Sequence, residues 1–161
     1  MSGPSPRGGG AAAVPPSLVV DASVAVKWFV HEEWRDQAML LLGGPDLRAP
    51  GLMRTECANI LWKKARRGEI PRVRAGHALA ELAEVPIRWL DDAPHVAGAL
   101  RRALSLDHPA YDCVYLEVAA GLRLPLVTAD RRLAGFSGRD GATVLHLDSF
   151  AASAGPSLAE P

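Results

Sequence analysis

Apolar and polar positions along the chain alternate between two kinds of segment. Short apolar runs stand at Leu18-Val19-Val20, Leu47 to Ala49, Val85 to Leu90, Leu124 to Thr128 and Thr143 to Leu147. The first of these is wholly apolar and fits a strand buried on both faces, as in a parallel sheet covered by helices; the others are short strand candidates, three of them interrupted by Arg48, Arg88 or His146. Between them lie stretches with helical spacing. Ser23 to Val30 reads as a helix that Ser23 is placed to cap, and Trp34 to Leu42 as a second, ended by Gly43-Gly44-Pro45. Leu52 to Arg67 follows, with Met53, Cys57, Ile60, Leu61 and Lys64 on one stripe and Gly68 as its stop signal. Further helices are expected from Pro71 to Ala83, from Ala93 to Leu104 behind Asp91 or Asp92, and from Pro109 to Gly121. In the last of these, Tyr111, Val114 and Val118 share a face. A short one covers Arg131 to Leu133. Strands that alternate with helices predict an α/β fold, a three-layer α/β/α sandwich around a central parallel sheet.

Residues 1–17 are mostly Gly, Pro, Ala and Ser without periodicity, and are expected to form a disordered extension. The folded domain is expected over 18–150, with a flexible tail over 151–161. At 161 residues one domain is sufficient, and 48% hydrophobic content excludes wholesale disorder. Lys plus Arg equals Asp plus Glu, 18 of each, so overall charge makes no case for nucleic acid and any such binding must be local. Cys57 and Cys113 have no metal-ligand spacing and read as buried free thiols. No apolar run suits a membrane span or a secretory signal, so a cytoplasmic location is expected.

The candidate chemistry is carried by carboxylates. Asp21 and Asp130 each follow a buried-type strand, and parallel strands finish on one edge, where ligands of open α/β sheets bind. Glu56 lies at the border of its helix stripe, and Asp112 falls in the first turn of its helix. Each has a plain structural reading: Asp21 and Asp130 as helix caps, Glu56 as a solvated border residue, Asp112 as a first-turn acid. Gathered together they would repel, so either some hold protons or a divalent cation neutralises them. Oxygen donors without a Cys or His cluster point to Mg²⁺ or Mn²⁺, which suits phosphodiester hydrolysis.

Four segments carry a resemblance. They are Val19-Val20-Asp21-Ala22-Ser23-Val24, Arg54-Thr55-Glu56-Cys57-Ala58-Asn59, Tyr111-Asp112-Cys113-Val114-Tyr115-Leu116 and Leu126-Val127-Thr128-Ala129-Asp130. In order and spacing the chain from Leu18 to Phe150 resembles the PIN domain, and within it the VapC-type toxins of toxin–antitoxin pairs. The resemblance implies a Mg²⁺-dependent ribonuclease, with Mn²⁺ as a substitute ion. It implies Asp21, Glu56 and Asp112 as the metal site, Asp130 as a fourth acid, and Ser23 and Thr128 as supporting polar residues. It also implies an RNA substrate and an antitoxin partner.

Lys63, Lys64, Arg66, Arg67, Arg72 and Arg74 form a local basic run. Lys63, seven residues after Glu56, shares its helix face and is the first candidate to touch RNA; Lys27, one turn after Ser23, is the second. Arg131 and Arg132 are further cations near Asp130. Trp28 and Phe29 are candidate surface for a homodimer or an antitoxin segment. Two other functions were weighed. A non-catalytic binding module of the same fold would show no Mg²⁺ binding. An aspartate-based phosphotransfer domain of the haloacid-dehalogenase type wants a second Asp where Ser23 stands, and a receiver domain places its acceptor on a middle strand.

Overall fold

The computed structural model describes residues 11–150. Five strands form one all-parallel sheet: β1 (Ser17–Val20), β2 (Asp46–Pro50), β3 (Ile87–Leu90), β4 (Leu126–Thr128) and β5 (Val144–His146). Their order is β3-β2-β1-β4-β5, which puts β1 at the centre. Leu18, Val19 and Val20 are fully buried, as a central strand covered on both faces requires. Among the described residues seven α-helices surround the sheet: α1 (Ala22–Ala25), α2 (Arg35–Met39), α3 (Leu52–Arg66), α4 (Arg72–Glu84), α5 (Val96–Leu106), α6 (Ala110–Leu122) and α7 (Arg131–Ala134). α6 contacts β1, β2 and β4 and pairs with α5, while α3 pairs with α4 and meets α1. This is the expected α/β/α sandwich.

Most expected elements are present, with differences that have local causes. α3 buries Met53, Cys57 and Leu61 in steps of four. It stops at Gly68, where φ is +74° and the Gly68 and Glu69 amides close back on the carbonyls of Ala65 and Lys64. Lys64 is not a core residue; its ammonium pairs with Glu32 at 2.5 Å. The helix expected from Ser23 to Val30 is one turn of α-helix followed by a 3₁₀ turn over Val26–Trp28. Its cap is Asp21, not Ser23: Asp21 Oδ1 accepts the Val24 amide at 3.1 Å. Trp34 does not open α2. It takes φ +59° with its ring edge-on to His146 at 4.6 Å, and the helix begins after it. Trp28 is buried, its indole N–H donating to the Ala38 carbonyl at 2.9 Å, and offers no partner surface. Tyr111 is exposed rather than packed with Val114 and Val118.

Residues 1–10 and 151–161, where the expected leader begins and the expected tail lies, are outside the described residues. Within the expected leader, Ser17 already pairs with Asp46, and the Ala12 amide donates to the Ser149 carbonyl at 2.8 Å. Cys57 and Cys113 are buried and unpaired. No helix among the described residues is long and apolar enough to cross a membrane.

Candidate active site

The chain leaves β1 toward β2 and β3 on one side, and later returns to place β4 and β5 on the other. The carboxyl ends of β1 and β4 therefore flank the point where strand order reverses, the position where open parallel sheets leave a crevice. Asp21 follows β1, and Thr128 ends β4. The Thr128 hydroxyl donates to Asp21 Oδ2 at 2.5 Å, and the Ser23 hydroxyl donates to Asp21 Oδ1 at 2.6 Å. Ser23 Oγ also accepts the Ala129 amide at 2.9 Å, tying the start of α1 to the end of β4. The two supporting residues thus fix one carboxylate across two strands.

A cleft of about 670 Å³ opens above this point, lined by Asp21, Ser23, Glu56, Asn59, Lys63, Tyr111, Asp112, Tyr115 and Asp130 among others. All four acids singled out in the sequence meet here. Glu56 comes from α3 and Asp112 from the first turn of α6. Asp130 caps α7, its Oδ1 accepting the amides of Arg132 at 2.7 Å and Leu133 at 3.2 Å. The capping role and the place in the cleft are not exclusive.

Two residues that hold these acids were not assigned a role from the sequence. The Tyr115 hydroxyl donates to Glu56 Oε2, and His108 Nε2 lies 2.9 Å from Asp112 Oδ2. Tyr115 is fully buried; the His108 ring is buried edge-on against Phe136, 5.1 Å away. The i,i+4 spacing of His108 and Asp112 was a usable signal. Tyr115 and Glu56 are 59 residues apart in sequence, and no local pattern joins them. Lys63 lines the cleft as its spacing from Glu56 predicted. Lys27 does not: it is almost fully buried, and its ammonium is bonded to Glu32 at 2.8 Å.

The electrostatics of the cleft resist its own charges. Burial raises the Asp21 carboxyl from 3.8 to about 6, against the hydrogen bonds of Ser23, Thr128 and Val24, and the Asp112 charge adds to the rise. Burial raises Glu56 from 4.5 to about 7; the Tyr115 hydrogen bond opposes it, and the charges of Asp112, Asp21 and Asp92 add to it. Asp112 is also raised, by burial first, with His108 opposing and Asp130 adding. Each acid feels at least one other, so a cation among them would relieve a shared strain. The donors are all oxygen, the set preferred by hard divalent ions. Among the described residues no three such groups close into a tight ligand cage. An open carboxylate set suits an ion that keeps much of its water, as Mg²⁺ does.

A parallel α/β sheet with four acids at its switch point defines the class of this protein. The chain belongs to the PIN domain family, whose model matches residues 18–138. It is 35% identical to Ribonuclease VapC3 of Pyrobaculum aerophilum over 120 residues, covering 73% of this chain and 92% of that one. The crystal structure of PAE2754 from the same organism superposes with a TM-score of 0.59 at 28% identity, over 80% of this chain and 83% of that one. A toxin–antitoxin complex from Klebsiella pneumoniae shares the fold at 14% identity, with a TM-score of 0.57 over 81% and 97% of the two chains. VapBC2 from Rickettsia felis, solved with a DNA fragment from its promoter, shares it at 12% identity, with a TM-score of 0.56 over 81% and 98%.

Proposed function

We propose that this protein is a Mg²⁺-dependent endoribonuclease and the toxin of a toxin–antitoxin pair. One observation carries the catalytic part: four carboxylates from four elements converge on one cleft, where burial and mutual repulsion make the ionised forms of Asp21, Glu56 and Asp112 costly. A protein that only bound RNA would gain nothing from such a wall, because it repels the phosphate backbone. The likeness to a named VapC ribonuclease supports the same reading.

In this reading Asp21 and Asp112 would hold the ion directly, and Glu56 directly or through water; an ion held there would supply a more acidic water and offset charge on the scissile phosphate, with Mg²⁺ or Mn²⁺ as the fitting ions. The chain's own residues prepare the site. Ser23 and Thr128 fix both oxygens of Asp21. Tyr115 directs Glu56, and His108 stands against Asp112. Asp130 presents its free oxygen from the start of α7, to orient the nucleophile or a second ion. Lys63 contributes a cation at the cleft wall for the RNA backbone. The partner is an antitoxin polypeptide, the assembly a homodimer, and the location the cytoplasm.

The test is cleavage of a mixed RNA pool with Mg²⁺ or Mn²⁺, then with chelator, beside Asp112→Asn. Cleavage only with metal and only by the unmutated protein is the expected result. Retained cleavage by Asp112→Asn would refute the site. Absence of both cleavage and Mg²⁺ binding would refute the enzyme.

A further inference from the structure

α3 presents two opposite faces. Glu56, Asn59, Ile60 and Lys63 line the acidic cleft. At 100° per residue, Ala58, Leu61, Trp62 and Ala65 fall on the far side of the same helix. There α3 and α4 leave an open groove. It consists of a hollow of about 580 Å³ beside Trp62 and another of about 350 Å³ beside Trp89, and Ala58 and Leu79 line both. The groove follows α3 from Arg54 to Arg66, about 18 Å or roughly three helical turns.

The groove is apolar, close to the backbone and positively charged. Trp62 is 53% exposed on its border, and Leu79 on α4 is exposed as well. Gly76 stands in the middle of α4 on the groove wall. A glycine inside a helix weakens it relative to alanine. A Cβ at Gly76 would meet nothing within 4 Å, so the packing of α4 does not call for glycine there. What the missing side chain provides is close approach for another backbone. Three cations border the groove: Arg54 lies over the Trp89 ring at 3.7 Å, Arg66 over the Trp62 ring at 5.5 Å, and Arg72 opens α4. No carboxylate lines either hollow. Among the described residues none of these three arginines has an ion-pair partner.

We propose that this groove docks an amphipathic helix of a partner protein, apolar on the face it buries and acidic along its flanks. Apolar side chains at i, i+3, i+4 and i+7 fill the space between Trp62 and Trp89, and carboxylates beside them meet the arginines. Other occupants fit worse. A second copy joined through this face sets arginine against arginine. The chain's own ends lack the charge: residues 1–10 hold no acid and 151–161 hold one, Glu160. RNA matches the arginines but not the floor, whose alanine and leucine side chains offer a sugar–phosphate backbone nothing to bond. Because groove and cleft lie on opposite faces of α3, the helix is held without reaching the acids. The proposal therefore stands apart from the nuclease reading.

The experiment uses the full chain and a fluorescein-labelled, alanine-based peptide of about 15 residues, with leucines at that spacing and glutamates on both flanks. A twin peptide carries lysine in place of each glutamate. Binding is followed by anisotropy. The acidic peptide is expected to bind at least about tenfold more tightly than its twin, and less tightly as salt rises. Gly76→Leu fills the groove with a side chain that enters open space, so a melting curve should show the fold intact while binding falls at least about tenfold. Arg66→Glu combined with Arg72→Glu, both exposed, should reverse the preference between the peptides. Glu56→Gln, on the other face of α3, should bind the acidic peptide as the unmutated chain does. The proposal is overturned if the twin binds equally well, if a folded Gly76→Leu protein binds as before, or if neither peptide binds at about 1 mM. Displacement of the peptide by single-stranded RNA would make the groove a nucleic-acid site instead. Self-association of the chain that Gly76→Leu abolishes would make the occupant a second copy. Either result also overturns it.

Discussion

Asp21→Asn should abolish cleavage and, in metal-free buffer above pH 6, make the protein more stable. The Asp21 carboxyl is fully buried, and its rise from 3.8 to about 6 is a cost of holding the charge there. Between those two values the folded chain keeps a proton that the unfolded chain has released, so this group's contribution to stability falls as pH rises through the window. The full loss is about 3 kcal/mol. Asparagine removes the charge and keeps an oxygen for the Val24 amide and the Ser23 hydroxyl. Its amide then faces Thr128, whose hydroxyl must turn, at a cost of about 1 kcal/mol. The net is a gain of about 2 kcal/mol above pH 6, or roughly 4–8 °C in melting temperature for a chain of this size. Below pH 3.8 the native carboxyl is protonated, and the variant should be the less stable by about 1 kcal/mol. The assay is denaturant unfolding of both proteins across that range in chelator. A difference that does not change with pH, or a variant less stable than the native chain at high pH, would refute the claim that the fold carries Asp21 as a strained charge.

Other outcomes follow from single contacts. Tyr115→Phe deletes one hydroxyl and frees Glu56, so calorimetry should show weaker Mg²⁺ binding, with little change in that of a Glu56→Gln protein given the same second substitution. Lys63→Ala should weaken RNA binding and lower its salt slope by about 0.7, measured by anisotropy of labelled single-stranded RNA titrated with a chain carrying Asp112→Asn. Gly98→Ala should destabilise the domain by about 1–3 kcal/mol in denaturant unfolding. A methyl there would stand 2.1 Å from Glu117 Oε1, and because the other carboxylate oxygen, Oε2, accepts from Arg102 Nε at 2.6 Å, the side chain cannot withdraw without disturbing that pair.

What the sequence made legible follows from how local each signal is. Leu18-Val19-Val20 reads as a central strand because nothing in it tolerates water, and the structure needs only that fact to bury it completely. The four acids are legible because each sits at a strand end or helix start, where direction is fixed by the element itself. Ser23 reads as the cap because a hydroxyl beside a helix start normally fills that role. Its hydroxyl instead donates to the true cap, Asp21, and its other partners, Thr128 and Ala129, are more than a hundred residues away and exist only once β4 lies beside β1. The same limit hid the bond from Tyr115 to Glu56. Lys27 lies off the acidic cleft for a geometric reason. Helical spacing projects it one turn from Ser23, but after Ala25 the backbone tightens to a 3₁₀ turn, which changes the angle per residue and sends the ammonium to Glu32.

Capping, charge burial and site assembly are one arrangement at Asp21. Its Oδ1 starts α1, its Oδ2 reaches across to β4, and both oxygens end up out of water as a result. A carboxylate so placed serves the helix best when ionised, yet burial favours the proton. A divalent cation resolves the conflict by lending charge without displacing the hydroxyl and amide donors. Metal binding and folding stability are therefore linked through this residue: any ion that lowers the Asp21 pKa must also stabilise the fold above pH 6, by an amount set by its concentration relative to its dissociation constant.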